Sequence, residues 1–322
     1  MVPCEVAVPG GTAGDCVVPV VQAGCYAPGG RFPLPSSVLM TVVTARVAGV
    51  GGVWVASPRP SPITLAAAAV AGADGLLSAG GAHGVAALAY GVAVPPADVV
   101  VGPGNQWVTA AKQLLAGQVG IDLLAGPSEL VVLATDDCDP ALVAADLLAQ
   151  AEHAPDALPI LVAQSEGSIS AVERELGRQL RDLPTASIAR QALKGGFATA
   201  AGSLEEAVAI CNAIAPEHLQ LHGALSETVR ARLTVFGAVF VGARAAEVYG
   251  DYGAGPNHTL PTGGTARFAS GLSVFSFLRR PTWLDLRDGQ GMEELIRDTA
   301  ALARLEGLEG HARAAEARAG YP

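Results

Sequence analysis

DVVVGPGNQWVTAAKQLLAG, residues 98–117, joins a strand-length apolar run to a turn of glycine, proline and asparagine and then to a longer Ala-rich run at helical spacing. Two further stretches repeat that rhythm: GGVWVAS (51–57) before ITLAAAAVAGA (63–73), and ELVVLATD (129–136) before DPALVAADLLAQAEH (139–153). Strands alternating with helices predict an α/β protein whose sheets are parallel. Each turn after a strand carries Gly, Pro, Asn or Asp, residues that start the next helix or bare their backbone, so ligands are expected at those strand ends.

The chain has 322 residues, half of them hydrophobic, enough for two domains with cores of ordinary size. Its 20 Lys and Arg against 30 Asp and Glu give a net charge of −10, which opposes the counterion release that drives nucleic-acid binding; nucleic-acid partners are not expected. Five cysteines with no CxxC spacing argue against a disulfide framework and a thiolate zinc site, and point to a reducing compartment. The most apolar stretches, 41–57 and 63–73, are broken by Arg46 or too short to span a bilayer. The opening MVPCEVAVPGG lacks the basic and apolar regions of a secretory signal, so the cytoplasm is the expected location.

DPALVAADLLAQAEH reads as a helix capped by Asp139, with Pro140 in its first turn. Gln150 and His153, spaced i and i+3, fall on one face of it, where an amide oxygen and an imidazole nitrogen can reach one metal ion. By pattern alone the pair also reads as two polar residues at an exposed helix end. APEHLQL (215–221) sets Glu217 beside His218. An acid and an imidazole tuned toward neutrality can serve as water activator and base; the plainer alternative is a surface pair at a helix start. His222, at an expected helix end, receives no role.

The glycine-rich GDYGAGPNHTLPTGG (250–264) is too long and irregular for a hairpin and reads as a functional loop carrying Asp251, Tyr252, Asn257 and His258. A carboxylate there can complete a metal sphere begun by Gln150 and His153, or cap a turn. Beyond it, residues 283–318 are charged and strongly helical, unlike the Ala/Gly/Val body. Glu306 and His311 lie five apart, a poor fit to one helix face unless Gly307 or Gly310 bends the chain between them. No GxGxxG follows a strand. The short turns GPGN (102–105), GGAHG (80–84) and AGPSEL (125–130) can bring bare amides to a phosphate or ribose, or be only tight turns.

Taken together and in order, GCYAPGGRFPLPSSVLM (24–40), GPGNQWVTAAK (102–112), IDLLAGPSELVVLA (121–134), ADLLAQAEH (145–153), APEHLQL, GDYGAGPNHTLPTGG, ARFASGLSV (266–274) and EGLEGH (306–311) resemble the histidinol dehydrogenase family along nearly the whole chain. The resemblance implies Gln150, His153, Asp251 and His311 as ligands of one Zn2+, Glu217 and His218 as the catalytic pair, and Ser128, Gln150, His153, His218, Asp251, Glu306 and His311 as substrate contacts. It implies NAD contacts at Tyr26, at His83, where the family carries Gln, and at Asn105. The implied reaction is oxidation of L-histidinol through L-histidinal to L-histidine. The implied assembly is a homodimer in which His311 and Glu306 serve the other subunit's site.

The expected organisation is a lead-in over 1–25, shorter than the helical segment family members carry there, two Rossmann-like domains over 26–128 and 129–272, and a small helical dimer-crossing element over 273–322. Two rival readings keep part of this picture: a relative that oxidises another polar alcohol, such as a hydroxylated sulfonate, and a non-catalytic relative that binds zinc or a metabolite. Glu306 favours a cationic substrate over an anionic one.

Overall fold

The computed structural model describes residues 3–29, 32–225, 227–287 and 291–320, so Gly30 and Arg31 of the first motif lie outside the described residues. The chain forms two compact units, residues 20–277 and a smaller one made of residues 1–19 with 278–322. Three short strands, β1 (Glu5–Val8), β2 (Gly11–Asp15) and β3 (Val18–Pro19), precede the larger unit and belong to the smaller.

The larger unit holds two five-stranded sheets. The first runs β4 (Gln22–Tyr26), α1 (Pro35–Val47), β5 (Gly52–Ala56), α2 (Pro62–Ala71), β6 (Gly75–Leu77), α3 (Gly81–Tyr90), β7 (Val99–Val101), α4 (Gln106–Leu115) and β8 (Gly120–Ile121). Its order, β6-β5-β4-β7-β8, is parallel throughout, with the direction of strand addition reversing between β4 and β7. The alternation seen in the sequence becomes structure through local chemistry. Ser61 caps α2, Pro62 supplies a preset φ at its first turn, and the left-handed Gly72 closes it.

The second sheet runs β9 (Glu129–Ala134), α5 (Pro140–Ala151), β10 (Leu158–Ala163), α6 (Glu166–Gln179), α7 (Ala186–Gly195), β11 (Phe197–Ala200), α8 (Leu204–Ile214), β12 (His218–His222), α9 (Glu227–Arg230), β13 (Ala238–Val241) and α10 (Val248–Tyr252). Its order, β11-β10-β9-β12-β13, repeats the first sheet's, again all parallel. All six residues of β9 are buried because helices cover both faces. Leu130, Val132 and Ala134 join Val143 and Leu147 of α5 on one side, whereas Val131 and Leu133 join Val208 and Cys211 of α8 on the other. Each fully buried Leu or Val of this kind contributes roughly 1.5–3 kcal/mol.

The smaller unit is not purely helical. It contains β14 (Leu278–Arg279), β15 (Thr282–Leu286), α11 (Met292–Leu305) and α12 (Glu309–Glu316). β15 pairs antiparallel with β2, completing a three-stranded β1-β2-β15 sheet, so residues expected as a lead-in and as a helical tail fold as one body. A strand carries unpaired backbone donors on both edges, and β2 satisfies them with β1 and β15. Gly307, at φ 77°, ends α11 and admits the bend expected ahead of His311. No helix among the described residues is long and apolar enough to cross a membrane.

Candidate active site

Helix α5 begins as its sequence dictates, with the Asp139 carboxylate accepting from the Ala141 amide at 2.9 Å and Pro140 at the first turn. Gln150 lies on its buried face with no exposed surface, contrary to the reading of an exposed helix end. The helix stops at Ala151, so His153 sits one residue past the cap and not on the helix face. Its Nδ1 lies 3.3 Å from the Gln150 carbonyl, which the ended helix leaves without an amide four residues on, and this turns Nε2 toward Asp251. The Nε2 to Asp251 Oδ2 distance is 3.8 Å, too long for a hydrogen bond and short enough for both atoms to reach one ion.

APEHLQL does not start a helix. Ala215 closes α8 in the left-handed conformation, Pro216 follows, and His218–His222 form β12 between β9 and β13. The period is two: Leu219 and Leu221 enter the core shared with α8, and His218, Gln220 and His222 take the opposite side. His222, expected at a helix end, is buried in this strand, and its Nε2 meets Asp146 of α5 at 2.7 Å.

Glu217 is buried at the start of β12, next to the start of β9. Its Oε2 accepts from the Ser128 hydroxyl at 2.7 Å and the Glu129 amide at 3.0 Å, and Gln150 Nε2 donates to the same hydroxyl at 3.1 Å. One hydrogen-bonded chain thus ties the expected metal helix to the expected catalytic acid. His218 Nδ1 lies 3.7 Å from Glu217 Oε2 and finds no hydrogen-bond partner among the described residues. Burial pushes the Glu217 carboxyl up to about 8 and pulls the His218 imidazole down to about 4. At neutral pH the acid is mostly protonated and the imidazole is a neutral acceptor.

Asp251 stands on α10, where burial would raise its pKa but His153 and His258 outweigh it and hold the carboxyl below its ordinary value. The Asp251 contact raises His153 to about 9. His258, named in the loop but given no role from sequence, and Glu247, which sequence reasoning passed over, join them. His258 Nδ1 is 3.8 Å from Asp251 Oδ1, and Glu247, only 1% exposed and with neither oxygen hydrogen-bonded among the described residues, lies 3.9 Å from His218 Nε2. Burial, then the Asp251 charge, moves Glu247 up to about 7. The i, i+4 spacing of Glu247 and Asp251 was its one signal, hidden because Glu247 precedes the motif. Ligand atoms of His218, Glu247 and Asp251 all lie within 4.8 Å of one another.

The larger unit therefore brings together Gln150, His153, Asp251, Ser128, Glu217 and His218. His311 and Glu306 belong to the smaller unit, His311 on α12 bordering an apolar groove and Glu306 exposed at the end of α11. Ser128, Glu217 and His218 sit at the amino ends of β9 and β12, not in turns after strands, which corrects the expectation for this sheet. In the first sheet Tyr26 and Asn105 do flank the carboxyl ends of β4 and β7. Tyr26 is buried, its hydroxyl accepting from the Gly81 amide at 2.9 Å; His83 is exposed in the first turn of α3; Asn105 caps α4 through the Trp107 and Val108 amides.

The family model described as histidinol dehydrogenase matches residues 3–319. The histidinol dehydrogenase of Thermus thermophilus is 51% identical over 313 residues, which cover 96% of this chain and 75% of that one. That of Geobacter sulfurreducens is 47% identical over 95% of this chain and 72% of its own. A crystal structure of histidinol dehydrogenase from Elizabethkingia anophelis superposes with a TM-score of 0.92 at 36% identity, covering 99% of this chain and 75% of that chain. With the motifs, the doubly repeated sheet order and the relatives in agreement, the chain belongs to the histidinol dehydrogenase family.

Proposed function

We propose that the chain oxidises L-histidinol through L-histidinal to L-histidine, the closing oxidation of histidine biosynthesis, with four electrons passing to two NAD+ molecules in the cytoplasm. The observation that carries this reading is the convergence of Gln150, His153 and Asp251 with the Glu217–His218 couple.

The donor set suits a divalent zinc ion. Gln150 Oε1 is buried without a hydrogen-bond partner among the described residues, and His153 faces Asp251 at a distance that leaves room for a shared cation. Gln150, His153 and Asp251 would hold the ion, with His311 of a second copy as the fourth ligand and the partner's Glu306 beside the substrate amine. Bound there, zinc supplies a template for the substrate's amine and imidazole. NAD+ supplies the hydride acceptor, contacted by Tyr26, His83 and Asn105.

His218, kept neutral by burial, takes the alcohol proton as hydride leaves the carbinol carbon. The aldehyde then accepts water. Glu217, once ionised, withdraws a proton from that water while Ser128 and the Glu129 amide fix the carboxylate's orientation. The adduct, the diol less the proton that Glu217 took, loses the second hydride and a further proton, leaving the carboxylate. An aldehyde anchored by substrate contacts at one site need not escape between the two oxidations.

The test is NADH formed per L-histidinol consumed, with and without a chelator. A ratio near two that chelation abolishes is expected. Zinc uptake without turnover would replace this reading with the binding-only one, and turnover of a hydroxylated sulfonate in place of histidinol would change the substrate.

A further inference from the structure

Lys112 of α4 is only 1% exposed, and its ammonium pairs with the equally buried carboxylate of Asp122. A buried pair of this kind adds little net stability over an apolar pair of the same volume, because desolvation offsets the attraction. What the pair does locally is grip one residue from both sides. Lys112 Nζ donates to the Gly102 carbonyl at 3.1 Å, and Asp122 Oδ2 accepts from the Gly102 amide at 2.7 Å, while Oδ1 accepts from the Leu123 amide at 2.7 Å.

Gly102 opens the GPGN turn at φ 117°, where a Cβ would fall 2.1 Å from the Tyr26 carbonyl oxygen. The turn thus lies directly against the backbone of Tyr26, whose hydroxyl in turn accepts from the Gly81 amide two residues ahead of His83. Asn105, at the turn's far end, starts α4, the helix that carries Lys112.

We infer that the Lys112–Asp122 pair is a positioning device for the cofactor site, holding the Gly102 turn against Tyr26 so that Tyr26, His83 and Asn105 meet one dinucleotide. This rests on the reading that those three residues contact NAD+. Neither Lys112 nor Asp122 need touch the cofactor, so both act through the turn.

The experiment replaces both charges by apolar side chains, Lys112→Met with Asp122→Leu, in the full zinc-loaded enzyme. A folded variant is expected to show a KM for NAD+ raised on the order of tenfold or more, with the KM for L-histidinol and kcat within about twofold of wild type. A merely structural role would move stability and leave that split absent, so an unchanged KM for NAD+ in a folded variant overturns the inference. Should the double variant not fold, Asp122→Asn is read in its place, with a rise of roughly threefold or more expected and no rise refuting. If the wild type itself binds no NAD+, the dehydrogenase reading fails separately. Hydrogen exchange at the Gly102 amide then decides the positioning claim: slow in the wild type and on the order of a hundredfold faster in the variant if the pair holds the turn, equal in both if it does not.

Discussion

Replacing Glu217 by glutamine tests the electrostatics of the site on stability and chemistry together. In the folded protein burial moves this carboxyl from its ordinary 4.5 up to about 8. Its folded value lies above its unfolded one, so the protonated acid's contribution is complete below pH 4.5 and is lost as pH rises through about 8. At about 1.4 kcal/mol per pH unit, the wild type gives up at most about 5 kcal/mol across that interval, while the substituted glutamine, which cannot ionise, gives up none. Glutamine retains an oxygen for the Ser128 hydroxyl and the Glu129 amide, so the native fold should hold. Urea unfolding of chelator-treated protein at about pH 5.5 and about pH 8.5 should show Glu217→Gln gaining about 2–4 kcal/mol on the wild type between the two. Histidinal oxidation should fall on the order of a hundredfold or more, the usual scale for a lost general base. A stability difference equal at both pH values would mean that Glu217 is ionised throughout, and the assignment of a carboxyl held protonated by burial would be wrong.

The metal set separates from its neighbours by zinc analysis: Asp251→Asn and Gln150→Ala should lower zinc retention on the order of tenfold or more, whereas Glu247→Gln should keep it; retention in Gln150→Ala with loss in Glu247→Gln would move the ion to His218, Glu247 and Asp251. Cys25 and Cys211, whose thiols burial raises to about 12, should resist iodoacetamide in the native protein while exposed Cys4 reacts, as read by peptide mass spectrometry; early alkylation of Cys25 would contradict its burial. Asp139→Ala removes the cap of α5 and should cost about 1 kcal/mol in chemical denaturation, with zinc affinity nearly unchanged because Gln150 lies at the other end of the helix.

The elements legible from sequence were those with local signals. Asp139 and Pro140 announce α5, Asn105 announces α4, and the apolar runs before them are the strands that the structure contains. The convergence of Gln150, Asp251 and Glu217 was reached only through the resemblance, since residues separated by up to about a hundred positions leave no trace in local pattern. Glu217 and His218 read as a surface pair because a five-residue strand is too short for its alternation to outweigh the helix-like acid beside a proline. Their burial, and that of Glu247 nearby, come from strand pairing between β9 and β12 and from α10, both tertiary events. The pairing of residues 11–15 with 282–286 was invisible for the same reason.

That last pairing sets a clock on synthesis. Cys16 and Pro281, in contact just beyond the ends of the paired strands, stand 265 positions apart, so at roughly 5–20 residues per second β2 waits roughly 15–50 s for β15 to leave the ribosome. Through that interval one edge of β2 offers its amides and carbonyls to any passing strand, its own later segments included. Slowing translation between the two strands should therefore raise aggregation of the nascent chain even if the finished protein is no less stable.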